Sequence, residues 1–201
     1  DMFTANVTQL MTSPLITIDQ DATISDGCDA MRKHEIRHLG VVSSKGMLKG
    51  VLTPSNIVGV MGTDSFSSSA LAQDVMAVSF VLEGPECPVD KAAKEMVHKR
   101  SCCVLIEANG VLTGMVSEKD MAHSVSYGAN MSRTTLANLM TSPVITIQSR
   151  DSIAQAIITL RSERIRRVPV MDGQEVKGVL SHNNLVRHMD KVVTKPYHCN
   201  P

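Results

Sequence analysis

The chain has 201 residues, 43% of them hydrophobic, and its 20 Lys and Arg balance 20 Asp and Glu. This length suits one or two ordinary domains, and the composition excludes a disordered or fibrous protein. The balanced charge argues against nucleic acid as the main partner, and no apolar run is long enough to span a membrane.

The five cysteines show no Cys-x-x-Cys spacing, which argues against a disulfide framework or a zinc ribbon. His34 and His38 have the spacing of a metal-binding helix, but a strand is predicted to begin at Leu39, so the helix should end before His38. We therefore predict no metal site and no cofactor. A reducing compartment fits the cysteines best, and we expect a soluble cytoplasmic protein.

The first predicted element is a short β-strand within residues 10–18, where a Pro-containing turn precedes β-branched residues. An amphipathic helix follows, with Ile24, Cys28 and Met31 at helical spacing. A buried strand at 39–42, a turn at Gly46 and a returning strand then form a hairpin, and a final helix closes the unit. The predicted unit is strand, helix, strand, turn, strand, helix.

The same order of elements recurs twice more along the chain. Its clearest signature is Gly, two apolar residues, Ser or Thr, two variable residues, and Asp or Asn, at 50–56, 114–120 and 178–184. Three copies in register define a repeat. The predicted repeats are 7–62, 70–127 and 135–193, joined by linkers at 62–70 and 127–135, with tails at 1–6 and 194–201.

The motif places a hydroxyl and a carboxylate or amide at the start of a helix. Unpaired N–H groups and the helix dipole favour an anion there. Ser117 can cap the helix or bind a phosphate oxygen, and Asp120, one turn further on, can accept hydrogen bonds from both hydroxyls of a ribose. An ordinary N-cap with a solvated acid is the alternative interpretation of each copy.

The ordered set of L-M-T-S-P-x-I-T-I, an amphipathic helix, R-x-V-P-V, a hairpin and G-V-L-[ST]-x-x-[DN] resembles the cystathionine-β-synthase-type (CBS) domain family. The resemblance covers nearly the whole chain, three times over. It implies an α/β fold of tandem units, each a small three-stranded sheet with two helices, paired sheet to sheet as a Bateman module. It also implies a regulatory protein with adenosine-type ligands in the clefts between units.

The resemblance assigns a role to particular residues. The acid that binds ribose falls on Asp120, with Asn56 and Asn184 as weaker equivalents, and the hydroxyl near the phosphate falls on Ser117, Thr53 and Ser181. The positions that contact the base are Phe80, Val81 and Cys103 in repeat two, Leu15, Ile16 and His38 in repeat one, and Val144, Ile145 and Arg167 in repeat three. Core packing is the alternative interpretation of Phe80 and Val81. Arg37 or His38 of the facing repeat would neutralise phosphate charge.

Three units are an awkward number for a family that works in pairs. We expect repeats one and two to pair within the chain, and repeat three to pair with its counterpart in a second chain. The alternative pairs repeat two with repeat three. Because an unpaired unit exposes an apolar sheet face, we expect a homodimer or a higher symmetric assembly.

Two classes of function follow from these residues. The first is a sensor that binds AMP, ADP, ATP or an adenosylmethionine-type compound and signals to an effector protein. The second is a scaffold without ligand, consistent with the two Asn substitutions. An enzyme is not predicted, because no nucleophile arrangement or Walker-type loop is present. A weaker third interpretation uses the basic third repeat, with Arg161, Arg164, Arg166, Arg167 and Arg187, as a nucleic-acid or polyphosphate contact.

Overall fold

The computed structural model describes residues 6–62, 66 and 69–189. Three sheets of three strands follow one another along the chain, each with its strands in sequence order. In every sheet the first strand is parallel to the second, and the second is antiparallel to the third. This confirms the expected fold class. The tail 194–201, most of the tail 1–6 and the end of the third predicted repeat lie outside the described residues.

Repeat one begins with a short 3-10 helix and then follows the predicted order. Its elements are the 3-10 helix Val7–Gln9, β1 Thr17–Asp19, α1 Ile24–Lys33, β2 Leu39–Val42, β3 Leu48–Leu52 and α2 Pro54–Val60. Thr23 and Asp26 form a capping box that starts α1. Gly46 turns the hairpin with a φ of +75°, a conformation that glycine adopts without strain.

Repeats two and three have the same plan. The elements of repeat two are α3 Ala72–Val75, β4 Val81–Glu83, α4 Val89–His98, β5 Cys103–Ala108, β6 Val111–Ser117 and α5 Glu118–Ser126. Those of repeat three are a 3-10 helix Leu136–Asn138, β7 Ile147–Gln148, α6 Ile153–Ser162, β8 Arg167–Asp172, β9 Glu175–Ser181 and α7 His182–His188. The short helix that opens each repeat was not predicted.

In repeats two and three, the segment before the first strand pairs with the other repeat and does not extend its own sheet. Ala77 of repeat two bridges Val179 of β9, with N···O distances of 2.9 and 3.0 Å. Thr141 of repeat three bridges Met115 of β6 in return, at 3.0 and 3.2 Å. The two repeats therefore exchange reciprocal backbone bonds across their interface.

Repeats two and three pair sheet to sheet, so the expected pairing of repeats one and two was wrong and the alternative was right. Between the sheets, Cys103 and Leu105 of β5 pack with Val179 of β9. Two glycines allow this close approach. A Cβ atom on Gly178 would lie 2.8 Å from Sδ of Met76, and one on Gly114 would lie 3.0 Å from Cγ of Met140.

Repeat one packs against repeat three through helices, not sheets. Ile57 and Val58 of α2 are buried in one hydrophobic core with Leu185 and Val186 of α7. Burying each such side chain stabilises the fold by about 1.5–3 kcal/mol. The Arg161 guanidinium of repeat three also donates to the carbonyl of Val58, in the last turn of α2. Among the described residues, Leu48 and Val51 of the repeat-one sheet stay exposed.

Candidate functional site

All three copies of the motif form a capping box at the start of a helix. In repeat two, Asp120 accepts hydrogen bonds from the N–H and the Oγ–H of Ser117, at 2.8 and 2.6 Å. The Oδ1 atom of Asn184 accepts the same two bonds from Ser181. Thr53 and Asn56 repeat the arrangement in repeat one. A carboxylate bonded in this way has lone pairs left for a ligand, and the Asn amide has both its N–H donors left.

A cleft of about 650 Å³ opens where the three repeats meet. Repeat three contributes Ser181 and Asn184, whereas repeat two contributes Ser101, Cys102 and Cys103 from the start of β5. The remaining lining residues are Glu35, Arg37, Ala77, Ser79, Ala93, Met96, Val97, Arg100, Glu118, Met121, Val179, Asn183 and Arg187. The cleft is thus composite, with the motif of one repeat facing the strand start of another.

Three arginines and two glutamates give the cleft its charge. Arg37 approaches Glu118 at 3.6 Å, and both side chains are about half exposed. The guanidinium groups of Arg100 and Arg187 make no ion pair with any residue in the described part of the chain. They are therefore available to an anionic ligand.

The adjacent thiols of Cys102 and Cys103 differ sharply in acidity. The pKa of Cys102 is lowered to about 6, first by a hydrogen bond from the Cys103 thiol and then by the charge of Arg167. The pKa of Cys103 is raised, because its proton is held in that hydrogen bond and because the thiol is buried. Cys102 is only half-buried and lines the cleft.

The structure brings some of the predicted site residues together and separates others. Cys103, Ser181, Asn184 and Arg37 share the cleft. Ser117 and Asp120 do not line it. The hypothesis that Asp120 shares one site with Cys103 therefore has no support in this geometry, and Asp120 stays a predicted ribose acceptor at its own helix start.

The residues predicted to contact the base mostly lie elsewhere. Val81 is buried in the core of repeat two, and Phe80 packs between the sheets of repeats two and three. Arg167 donates to the carbonyl oxygen of Cys102. The others do not line the cleft: His38, Leu15, Ile16, Val144 and Ile145. Thr53 and Asn56 likewise lie outside it, in repeat one.

The sequence interpretation missed Arg100 and Glu118, and it named Arg187 only as part of a basic patch of repeat three. Arg100 has a φ of +51° just after α4, and Glu35 and Arg164 hold the matching position after α1 and α6 with similar φ. Such left-handed residues fix the chain direction at the entry to the next strand. No local sequence pattern identifies Arg100, Arg187 or Glu118 as cleft residues, because their place depends on how the repeats pack.

The arginines of repeat three do not act as a single patch. The Arg161 and Arg167 side chains donate to backbone carbonyls of other repeats, whereas Arg187 lines the cleft. This division weakens the nucleic-acid interpretation. Among the described residues, no cluster of three or more His, Cys, Asp or Glu could hold a metal ion, and no helix is long and apolar enough to cross a membrane.

The family model for the CBS domain matches residues 7–62, 72–127 and 136–191. The chain therefore belongs to the CBS-domain family, as its motifs indicated. A curated relative, an uncharacterized 33.4 kDa protein in a ribosomal RNA operon of Thermofilum pendens, is 23% identical over 194 residues. The match covers 89% of this chain and 64% of that protein. The chain spans 24–40% of the next three curated relatives.

Solved structures share this fold at low sequence identity. Protein MJ1225 from Methanocaldococcus jannaschii superposes with a TM-score of 0.77 at 16% identity, over 92% of this chain and 70% of that one. The CBS domain pair of protein MJ0100, in complex with 5′-methylthioadenosine and S-adenosyl-L-methionine, gives 0.53 at 22% identity, over 59% and 94%. The CBS domain protein PAE2072 from Pyrobaculum aerophilum, complexed with AMP, gives 0.53 at 22% identity, over 57% and 89%.

Proposed function

We propose that this chain is a cytoplasmic, non-catalytic sensor that binds an adenine nucleotide or a related adenosyl compound and signals to an effector protein. The observation that carries the proposal is the composite cleft, where a motif hydroxyl and amide face a polar strand start and unpaired arginines. The ligand touches all three repeats in this cleft.

The cleft has the size and the walls that an adenosine compound needs. Its volume of about 650 Å³ lies in the usual range for sites of small molecules. Met96, Met121 and Val179 supply apolar surface for a base, and the hydroxyls of Ser79 and Ser101 supply polar contacts for its edge. A purine requires this combination of apolar faces and polar edges.

The polar groups suit a ribose and a phosphate. Asn184 keeps its two amide N–H donors, because its bonds with Ser181 use only Oδ1, and these donors can bind ribose oxygens. Arg100 and Arg187 offer paired N–H donors to a phosphate. AMP in one structural neighbour and S-adenosyl-L-methionine in another support the adenosyl class.

Signalling follows from the contact of the cleft with repeat one. Arg37 reaches the cleft from repeat one and approaches Glu118 of repeat two. A ligand phosphate that binds Arg37 would replace its contact with Glu118. The contact between repeats one and two would then depend on the ligand. A ligand that favours one placement over another shifts the equilibrium between them, which an effector can detect.

The test is isothermal titration calorimetry of the full chain with AMP and with adenosine. Replacing Arg187→Met keeps the aliphatic stem but removes the charge-assisted bonds, which are worth about 1.5–3 kcal/mol. We expect AMP affinity to fall about ten- to a hundredfold, while adenosine affinity stays within about twofold.

Arg164→Met is the matched control, because Arg164 is exposed in the same repeat but lies outside the cleft. Equal losses for both variants would refute the phosphate role of Arg187. No binding across AMP, ADP, ATP and S-adenosylmethionine would instead favour the second candidate, a scaffold whose capping boxes serve only its helices.

A further inference from the structure

The capping box of repeat three presents hydrogen-bond donors where the box of repeat two presents an acceptor. In both boxes one side-chain oxygen accepts from the backbone N–H and the hydroxyl of a serine, as Asp120 does from Ser117 and Asn184 from Ser181. The second oxygen of the Asp120 carboxylate only accepts hydrogen bonds, whereas the second terminal atom of Asn184 is an amide nitrogen that only donates. The two boxes therefore offer opposite groups to a ligand.

The orientation of the Asn184 amide is fixed by the backbone. The backbone N–H of Ser181 lies 3.0 Å from the Asn184 side chain, and a backbone N–H can only donate. The atom that faces it must be the amide oxygen, so the amide –NH2 group lies on the other side. Asn184 lines the composite cleft, and its –NH2 group makes no hydrogen bond with any residue that the structure describes. Its two donors are therefore available to a ligand.

The charge of the cleft favours an anion beside this amide. The charged residues that line the cleft, within the described part of the chain, are Glu35, Glu118, Arg37, Arg100 and Arg187. Because Glu118 lies 3.6 Å from Arg37, two arginines remain against one glutamate. Arg187 lies three residues after the amide, on the same side of α7, and Arg100 comes from repeat two. An aspartate in place of the asparagine would cancel this excess of positive charge and would repel a phosphate.

A ribose hydroxyl and a ribose phosphate need different partners. A free hydroxyl can donate to a carboxylate, whereas a phosphate on the same oxygen is anionic, accepts hydrogen bonds and is repelled by a carboxylate. Dinucleotide-binding proteins follow this rule, because an acid binds the 2′-hydroxyl of NAD and a basic residue accommodates the 2′-phosphate of NADP. An amide –NH2 group beside unpaired arginines suits the second kind of ligand.

We infer that the composite cleft selects an adenosine compound that carries a phosphate on its ribose, at the 2′ or 3′ oxygen, in addition to its 5′ phosphate. The –NH2 group of Asn184 donates to the ribose phosphate, and Arg100 and Arg187 balance the charge of the two phosphates. This inference rests on the proposed function, because it names the ligand class of the same cleft. The preference is opposite to that expected at Asp120, whose carboxylate suits a ribose with both hydroxyls free.

Isothermal titration calorimetry of the full chain with three isomeric ligands tests the selection. Adenosine 2′,5′-bisphosphate, adenosine 3′,5′-bisphosphate and ADP have the same adenosine and the same number of phosphates, but ADP leaves both ribose hydroxyls free. We expect one bisphosphate to bind at least about tenfold more tightly than ADP, because hydrogen bonds to a charged group are roughly twice as strong as neutral ones. The bisphosphate that binds more tightly identifies the phosphorylated oxygen.

Asn184→Asp is the decisive variant, because aspartate forms the same capping box in repeat two but presents an acceptor in place of the –NH2 group. We expect its affinity for the preferred bisphosphate to fall about tenfold or more, and its affinity for ADP to stay within about threefold. Retained binding of ADP shows that the variant is folded. Asn138→Asp is the matched control, because Asn138 forms the same box with Thr135 but lies outside the cleft. It adds the same charge and should keep the wild-type preference.

The outcomes separate this inference from the proposed function. The selection is refuted if ADP binds as tightly as both bisphosphates, or if the preference survives Asn184→Asp. In either case the binding of ADP leaves the proposed function standing. An equal loss in Asn138→Asp and Asn184→Asp also refutes the selection, because added charge alone would then explain the effect. If none of the three ligands binds, both the selection and the proposed function are wrong.

Discussion

Cys102 reports on the composite cleft through its own reactivity. Because the thiolate is the nucleophile, a pKa near 6 means that alkylation by iodoacetamide should reach half its maximal rate near pH 6, well below an ordinary thiol. We expect AMP to slow the alkylation of Cys102, because both occupy one cleft. Cys28 and Cys87 are internal controls, since burial raises the pKa of each thiol. Peptide mass spectrometry follows each cysteine separately.

Two motif variants locate the ligand by the same measurement. Asn184→Ala should abolish the protection of Cys102 by AMP, because Asn184 lines the cleft with Cys102. Asp120→Ala should leave that protection intact, because Asp120 lies outside this cleft. The reverse result would place the ligand at Asp120 and contradict the cleft assignment.

At the scale of elements, the motif glycines of repeats two and three, Gly114 and Gly178, are packing requirements. A Cβ on Gly178 would lie 2.5 Å from the carbonyl oxygen of Ala77, whose backbone is fixed by its bridge to Val179. Gly178→Ala should therefore destabilise the fold by about 1–3 kcal/mol, as measured by urea unfolding. Gly84→Ala is the control, because no described atom lies within 4 Å there. Equal midpoints for the two variants would show that the repeats do not need this contact.

The sequence predicted the elements of each repeat well, because each is specified locally. Helical spacing, the capping residues and the turn at Gly46 depend on neighbouring residues alone. The predicted start of the first strand was too early. The residues before Thr17 and Ile147 have strand composition, but they have no strand partner in their own repeat. In repeats two and three, Ala77 and Thr141 pair with the other repeat instead.

The pairing of repeats could not be predicted from the motif, because all three copies carry the same methionine and glycine. Prediction of the candidate site from the sequence was limited for the same reason. Ser181 and Asn184 were identified from their spacing, but their neighbours Cys102 and Arg100 belong to another repeat. A cleft made by two repeats depends on tertiary packing that no local pattern encodes.

At the scale of the whole molecule, the three repeats form one connected structure through two different interfaces. Sheets join repeat two to repeat three, and helices join repeat three to repeat one. His182 lies at the second interface, where its Nδ1 atom is 3.1 Å from the Ser55 hydroxyl of repeat one. Its Nε2 atom is buried and has no hydrogen-bond partner in the described part of the chain.

The pH dependence of stability should reveal this interface. Burial, and then the charges of Arg166, Arg161 and Arg167, lower the pKa of His182 from 6.5 to about 4. Below pH 6.5, His182 becomes protonated in the unfolded chain. In the folded chain, it stays neutral until the pH falls to about 4. The contribution of His182 to stability is therefore complete above pH 6.5 and is lost as the pH falls to 4, by on the order of 1–3 kcal/mol.

His182→Asn keeps a side-chain group that can bond Ser55 but does not titrate. In urea unfolding at a series of pH values, the free energy of unfolding of the wild type should fall more steeply than that of His182→Asn between pH 6.5 and 4. His98→Asn, on the exposed surface of α4, should follow the wild type and serves as the control. Parallel curves for the wild type and His182→Asn would mean that His182 takes up its proton equally in both states, so that burial between repeats one and three does not hold it neutral.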